Sequence, residues 1–88
     1  MEFEYNLQKR ITNLEKHKID FEKAKEIWKD PLALKIPGTT IDHEPRSLVI
    51  GKIKDKVWSV IITERQGKTR IISARRARPK EIKLYEEK

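Results

Sequence analysis

The sequence contains no cysteine, and its 88 residues include only three glycines. Without cysteine the chain cannot form disulfides, thiolate zinc sites or iron–sulfur clusters, and it cannot use a cysteine nucleophile. No apolar run approaches the roughly 18 residues of a membrane span, and the first ten residues carry acid where a signal peptide carries base. These absences predict a soluble cytoplasmic protein with no membrane segment.

The length and apolar content indicate a single domain over residues 1–88. Apolar residues make up 36% of the chain, enough for one modest core and too little for two domains or an enclosed cofactor cavity. There is no glycine-rich phosphate loop, G-x-S-x-G or H-E-x-x-H motif, which disfavours nucleotide-cofactor enzymes and zinc proteases. Asp42, His43 and Glu44 are acid and imidazole groups, but adjacent residues rarely converge on one ion. The sequence therefore predicts neither a cofactor nor a bound metal.

Positive charge is concentrated in one segment. The chain has 21 Lys and Arg against 14 Asp and Glu, a net charge of +7. Residues 65–80 contain seven cations and no acid, so the remaining 72 residues carry 14 charges of each sign. Such a balance favours phosphate polymers or an acidic protein as the partner. The seven cations are Arg65, Lys68, Arg70, Arg75, Arg76, Arg78 and Lys80.

The first third of the chain predicts a short strand and two helices. The strand-like run Phe3-Glu4-Tyr5 is followed by Asn6, whose side chain can cap a helix that ends near His17. Apolar residues at i, i+4 and i+7 make this helix amphipathic. They are Leu7, Ile11 and Leu14. A second helix is predicted from Asp20 to Asp30-Pro31, because the residue before proline is pushed out of the helical region.

The remainder of the chain has the pattern of strands. The predicted strands are residues 33–36, 48–50, 57–63 and 70–76. The last two are close enough in sequence to form an antiparallel hairpin. Pro79 suits the start of a closing helix, with Ile82 as its core anchor. The predicted fold is α+β: an antiparallel sheet of about four to five strands packed against N-terminal helices, with a short C-terminal helix.

Regular alternation along the last strand predicts which arginines share a face. It places Arg75 on one face and both Arg70 and Arg76 on the other. Apolar residues occupy both faces of the preceding strand, residues 57–63. We therefore expect helices to cover one side of the sheet and a partner to cover part of the other.

The basic hairpin has two interpretations. It can be a solvated edge that keeps a small domain soluble and prevents edge-to-edge pairing. It can also bind phosphates, because five of its seven cations are arginines, whose guanidinium groups match phosphate oxygens in bidentate geometry. No aromatic residue is interleaved with these cations. Base stacking and sequence-specific base reading are therefore not predicted.

RNA cleavage requires little chemistry beyond phosphate binding. A 2′-hydroxyl attacks its own phosphorus if one group removes its proton, cations stabilise the phosphoryl oxygens and another group protonates the leaving oxygen. No metal is required. Candidates for proton transfer are His17, Glu44, Glu81 and Tyr85. Each also has an ordinary structural role: a histidine at a helix end, glutamates paired with arginines, and a tyrosine that packs with its hydroxyl at the rim.

Segments along nearly the whole chain resemble the BrnT family. The most specific is the segment 70–77, Arg-Ile-Ile-Ser-Ala-Arg-Arg-Ala, with Glu81 and Tyr85 downstream. The early piece with Lys9, Asn13 and Lys16-His17, and later pieces with Glu44 and Arg46, support it. Lys18 stands where the family usually has glycine. If that position needs a left-handed backbone, lysine costs about 1 kcal/mol there.

The resemblance implies a fold, an activity and partners. BrnT proteins are toxins of type II toxin–antitoxin modules, with a RelE-like fold and a ribonuclease activity that halts translation. The implied partners are RNA and a BrnA-like antitoxin, whose ribbon-helix-helix portion binds operator DNA. Operator DNA would be contacted only through the antitoxin complex. The resemblance also implies an oligomer, either of this chain alone or with the antitoxin, but it does not fix the number of copies of each chain.

The leading hypothesis is a metal-independent endoribonuclease toxin. In it Arg65, Arg75 and Arg76 hold and neutralise the scissile phosphate, and Arg46 assists from the neighbouring strand. Proton transfer falls to the four candidates named above. Further RNA contacts are expected from Lys16, Lys68, Arg70, Arg78 and Lys80. Two alternatives are a non-catalytic RNA- or ribosome-binding module and a protein-interaction subunit whose hairpin meets an acidic partner.

Overall fold

The computed structural model describes residues 1–87, which form a five-stranded sheet with helices on both faces. The elements are β1 (Phe3–Tyr5), α1 (Leu7–His17), α2 (Phe21–Ala24), a 3₁₀ helix (Lys25–Lys29), β2 (Leu34–Pro37), β3 (Ser47–Ile53), β4 (Lys56–Arg65), β5 (Lys68–Arg76) and α3 (Pro79–Glu86). The strand order is β1-β5-β4-β3-β2. The α+β prediction is confirmed, with one difference: β1 pairs in parallel with β5, so the sheet is mixed.

Two clusters of buried apolar residues lie on opposite faces of the sheet. The larger lies under α2 and the 3₁₀ helix and includes Phe21 and Ile27. The smaller lies under α3, where Tyr85 is buried with Ile50 and Ile82 packs against them. Because neighbouring strand residues point to opposite faces, β3 and β4 supply apolar side chains to both clusters. The expectation that Ile82 anchors the closing helix is confirmed.

The apolar stripe of α1 faces solvent rather than the core. Leu7, Ile11 and Leu14 are 68%, 54% and 46% exposed, whereas the polar Asn13 is only 6% exposed. The Asn13 amide donates to the carbonyl of Ile19 at 3.2 Å, and its Oδ1 accepts from the backbone N–H of Ala74 at 3.1 Å. Strand β1 pairs only with residues 69–71 of β5. Asn13 therefore satisfies a backbone group farther along that edge.

A left-handed residue ends α1. Lys18 has φ 61° and ψ 30°, and its N–H donates to the carbonyl of Leu14 at 3.0 Å. A left-handed residue at this position lets the chain turn sharply after the helix. Beyond the turn, the Arg10 guanidinium donates to both carboxylate oxygens of Asp20, at 2.6 and 2.9 Å. The left-handed backbone on which the predicted cost of Lys18 depends is thus present.

A β-bulge in β5 corrects the predicted distribution of arginines. Ile61 pairs with Ser73, but its neighbour Ile62 pairs with Ile71, which leaves Ile72 as an extra residue on β5. An extra residue reverses the alternation of all residues beyond it. Arg70 and Arg75 therefore lie on one face, the face covered in part by α3. The prediction that they lie on opposite faces is wrong.

We expect the Asn13→Ala variant to be less stable by about 2–4 kcal/mol, because two buried backbone groups would lose their hydrogen-bond partner. Urea unfolding followed by circular dichroism measures this loss. Glu15→Ala is the matched control, since Glu15 is an exposed residue of the same helix. A loss below about 1 kcal/mol for the Asn13 variant would show that this bridge is not needed to hold α1 against β5.

Candidate nucleic-acid interface

Arg75 is held in a fixed orientation by Glu81. Two guanidinium nitrogens of Arg75 donate to the two carboxylate oxygens of Glu81, at 2.8 and 2.9 Å. The Ser59 hydroxyl and the backbone N–H of Arg78 also donate to this carboxylate, at 2.8 and 2.9 Å. Because Arg75 lies on β5, Ser59 on β4 and Glu81 in the first turn of α3, the cluster joins three elements. Two parallel bonds fix the plane of the guanidinium as well as its position.

This arrangement keeps Glu81 ionised. The Arg75 guanidinium, helped by the N–H of Arg78 and the hydroxyl of Ser59, lowers the pKa of Glu81 to about 2 despite its burial. A carboxylate with such a low pKa is a poor proton acceptor. In the same way Glu81 raises the pKa of Arg75. The geometry therefore gives Glu81 the role of positioning Arg75 rather than that of a base.

His17 lies at the end of α1, close to the same arginine. Partial burial lowers the pKa of His17, and the positive charges of Lys16 and Arg75 lower it further. A pKa below the ordinary value of about 6.5 means that the imidazole is mostly neutral at pH 7. A neutral imidazole beside fixed cations can accept a proton from a hydroxyl group.

A cleft between α1 and β5 opens beside His17. Its volume is about 240 Å³, and it is lined by Lys9, Thr12, Asn13, Lys16, His17, Ile72 and Ser73. We call it the α1–β5 cleft. Two lysines and an imidazole on one wall, with the hydroxyl of Ser73 on the other, suit an extended anion such as a sugar–phosphate backbone. Among residues 1–87, neither Lys9 nor Lys16 forms a salt bridge.

A second arginine cluster lies on the α3 face, nearer the β4–β5 turn. Arg65 donates to Glu44 at 2.5 Å, and Arg70 donates to Glu4 at 3.2 Å. The hydrogen bond from Arg65, with the charges of Arg46 and Arg70, lowers the pKa of Glu44. The buried Nε of Arg46 has no hydrogen-bond partner in the described residues. Glu44 is thus hydrogen-bonded to Arg65 and lies within the electrostatic influence of Arg46 and Arg70.

The two clusters are separated along the sheet. Arg70 pairs with Thr63 and Arg75 with Ser59, so the clusters lie four residues apart along β4. At the usual rise of a strand, that separation is about 13 Å. Both clusters face the α3 side, so one extended ligand could reach them together.

The other predicted site residues lie elsewhere. The guanidinium of Arg76 is 5.4 Å from the ring centroid of Trp58, on the opposite face from Arg75. The structure therefore does not bring Arg65, Arg75 and Arg76 together. Tyr85 donates to Asp30 at 2.6 Å, which raises the pKa of Tyr85 to about 12 and ties α3 to the end of the 3₁₀ helix. The remaining cations are exposed and form no salt bridge within residues 1–87: Lys68, Arg78 and Lys80.

Reasoning from composition and charge missed part of the cleft. Lys9 and Ser73 entered the sequence analysis only through the family resemblance. Lys9, Thr12 and Lys16 are spaced at i, i+3 and i+7, which places them on one helix face. That spacing was available in the sequence. The contact between Arg70 and Glu4 could not be predicted from the sequence, because it depends on the parallel pairing of β1 with β5.

Within residues 1–87, no three His, Cys, Asp or Glu side chains lie close enough together to hold a metal ion. No helix in this part of the chain combines the length and the apolar character needed to cross a bilayer.

Comparison with known proteins gives one family. A family model described as ribonuclease toxin, BrnT, of type II toxin-antitoxin system matches residues 5–81. The match covers every strand except the start of β1 and extends through Glu81 of α3. No match was found among curated proteins.

We expect Glu81→Gln to reduce stability at pH 7 by about 2 kcal/mol, because Arg75 would lose its anionic partner. Since the pKa of Glu81 is depressed to about 2, its contribution is complete above pH 4.5 and is lost as the pH falls towards 2. Chemical unfolding across this range measures the effect. The stability of the wild-type protein should fall more steeply than that of the variant. Parallel curves for the two proteins would contradict the account of this ion pair.

Proposed function

Because the chain belongs to the BrnT family of ribonuclease toxins of type II toxin–antitoxin systems, we propose that it is a metal-independent endoribonuclease that cleaves RNA in the α1–β5 cleft. One observation carries this proposal: a neutral imidazole, His17, lies near a guanidinium, Arg75, that a buried carboxylate holds in place. The cleft beside them is lined with lysines. The consequence for the cell is inhibition of translation.

His17 acts as the general base. RNA carries a 2′-hydroxyl next to each phosphate, and removal of its proton lets the oxygen attack the phosphorus. A general base must be unprotonated at the working pH in order to accept this proton. The lowered pKa of His17 meets that condition. Glu44 and Glu81 do not compete for this role, because arginines stabilise both carboxylates as anions.

Arg75 stabilises the charge that develops on the phosphoryl oxygens. Its orientation is set before the substrate arrives, so little reorganisation is needed in the transition state. Lys16 is adjacent to His17, and its ammonium group can donate a proton to the leaving 5′-oxygen. Lys9, two helical turns from Lys16 on the same face of α1, holds a neighbouring phosphate.

The second arginine cluster extends the RNA-binding surface. Arg46, Arg65 and Arg70 contact the backbone on the α3 face, about 13 Å from Arg75. Incoming phosphates compete with Glu44 and Glu4 for Arg65 and Arg70. Lys68, Arg78 and Lys80 add longer-range attraction, whereas Arg76 lies on the opposite face and is assigned no part in cleavage.

The family implies a protein antitoxin as the partner. We propose that it is a BrnA-like ribbon-helix-helix protein, and that the complex reaches operator DNA through that protein alone. The toxin acts in the cytoplasm, where its RNA substrates are. An antitoxin with acidic residues complements the net charge of +7.

The non-catalytic RNA-binding module remains the second candidate function. It is favoured by the fact that arginines fix both Glu44 and Glu81 as anions, which leaves a single imidazole for acid–base chemistry in the cleft. Such a module would bind RNA with strong salt dependence and form no products.

We expect His17→Gln to lower the rate of RNA cleavage by about 100-fold to 10,000-fold, the usual contribution of general acid–base catalysis. Cleavage of cellular RNA in the presence of EDTA, followed on denaturing gels, measures this loss and tests metal independence at the same time. The wild-type rate should decrease when the pH is lowered below the pKa of His17, because the imidazole then becomes protonated. His43→Gln is the matched control, because His43 is an exposed residue of the loop before β3. Loss of wild-type cleavage in EDTA, or equal rates for the two variants, would contradict the proposal.

A further inference from the structure

One flank of α1 presents a continuous row of apolar side chains to solvent. Leu7, Ile11 and Leu14 are all exposed, and their i, i+4, i+7 spacing makes each a neighbour of the next. Single exposed apolar residues are ordinary on a protein surface, but a contiguous row is typical of a surface that another molecule covers. We call this row the α1 stripe.

The position of the α1 stripe separates it from the α1–β5 cleft. Each residue of an α-helix advances by about 100° around the axis. By that rule the stripe lies about 130° from the side of Asn13 that packs on β5, and about 170° from the side of Lys9, Thr12 and Lys16. The two surfaces are therefore on nearly opposite flanks of the same helix.

Family membership and charge together indicate the occupant of the stripe. Lys18 follows Leu14 at i+4 and is exposed, so the row of apolar residues ends at a cation. Because the chain belongs to a toxin–antitoxin family, a protein antitoxin is the partner available to cover the row. A partner that offers apolar side chains next to an acidic residue fits both features. An amphipathic helix is the simplest structure that offers them.

We propose that the α1 stripe, with Lys18 at its end, is the docking surface for an acidic amphipathic segment of the protein antitoxin. This inference rests on the toxin–antitoxin membership of the chain and locates the partner on the surface. It has a functional consequence. Because the stripe and the cleft are on opposite flanks, variants of the stripe can lose the antitoxin while they keep the RNA site.

The test compares antitoxin binding and RNA cleavage in one set of variants. The main variant carries Leu7→Gln, Ile11→Gln and Leu14→Gln together, because glutamine keeps helix propensity and the three side chains are already exposed. The matched control is Leu84→Gln, an exposed apolar residue of α3. The probe is the protein encoded by the open reading frame adjacent to this gene, and calorimetry measures its binding.

We expect the triple variant to bind that protein at least about 100-fold more weakly and each single variant about tenfold more weakly, as for apolar anchors of an interface. The control should bind normally, and all variants should cleave RNA at the wild-type rate. Unchanged binding by the triple variant would overturn the inference, and so would a wild-type chain that dimerises through the stripe in sedimentation experiments. If cleavage is absent in every protein while the stripe variants still lose binding, the nuclease proposal fails and the docking surface stands.

Discussion

The ion pair between Arg75 and Glu81 is the interaction on which the rest of the site depends. It joins β5 to α3, and Ser59 of β4 and the backbone of Arg78 complete the coordination of the carboxylate. A largely buried ion pair contributes little net stability compared with an apolar pair, but the loss of one partner is costly. Its main effect here is positional, because it fixes a guanidinium on the α3 face of β5, close enough to His17 for its charge to lower the pKa of that imidazole.

Two departures from regular structure determine which groups share the site. The bulge at Ile72 brings Arg70 and Arg75 to one face of the sheet. Strand β1 ends before it reaches Ala74, so the backbone N–H of Ala74 donates to the side chain of Asn13 instead. The bridge from Asn13 places α1 along the edge of β5, with His17 near Arg75. The same placement turns the α1 stripe to solvent. The proposed catalytic and docking surfaces thus both follow from one polar contact between a helix and a strand edge.

Much of the fold was predictable from sequence, and the reasons are local. The hairpin of β4 and β5, the cap at Asn6 and the start of α3 at Pro79 are signalled by nearby residues. Three features could not be predicted from the sequence, because each depends on contacts between residues far apart in the chain. They are the parallel pairing of β1, the bulge in β5 and the orientation of α1. The amphipathic pattern of α1 was real, but the apolar side meets solvent because Asn13 is needed at the strand edge. The candidate site was predicted in its residue types, whereas the separation of Arg76 from Arg75 required the structure.

The most direct test of the central claim is an NMR titration of the His17 imidazole. The protein would be titrated with pH in the absence and presence of a short RNA in which 2′-O-methyl groups prevent cleavage. In the free protein we expect the pKa of His17 to lie below 6.5. The bound phosphates should raise it, since a nearby anion stabilises the imidazolium. A His17 signal that does not respond to the RNA would show that the backbone does not enter the α1–β5 cleft.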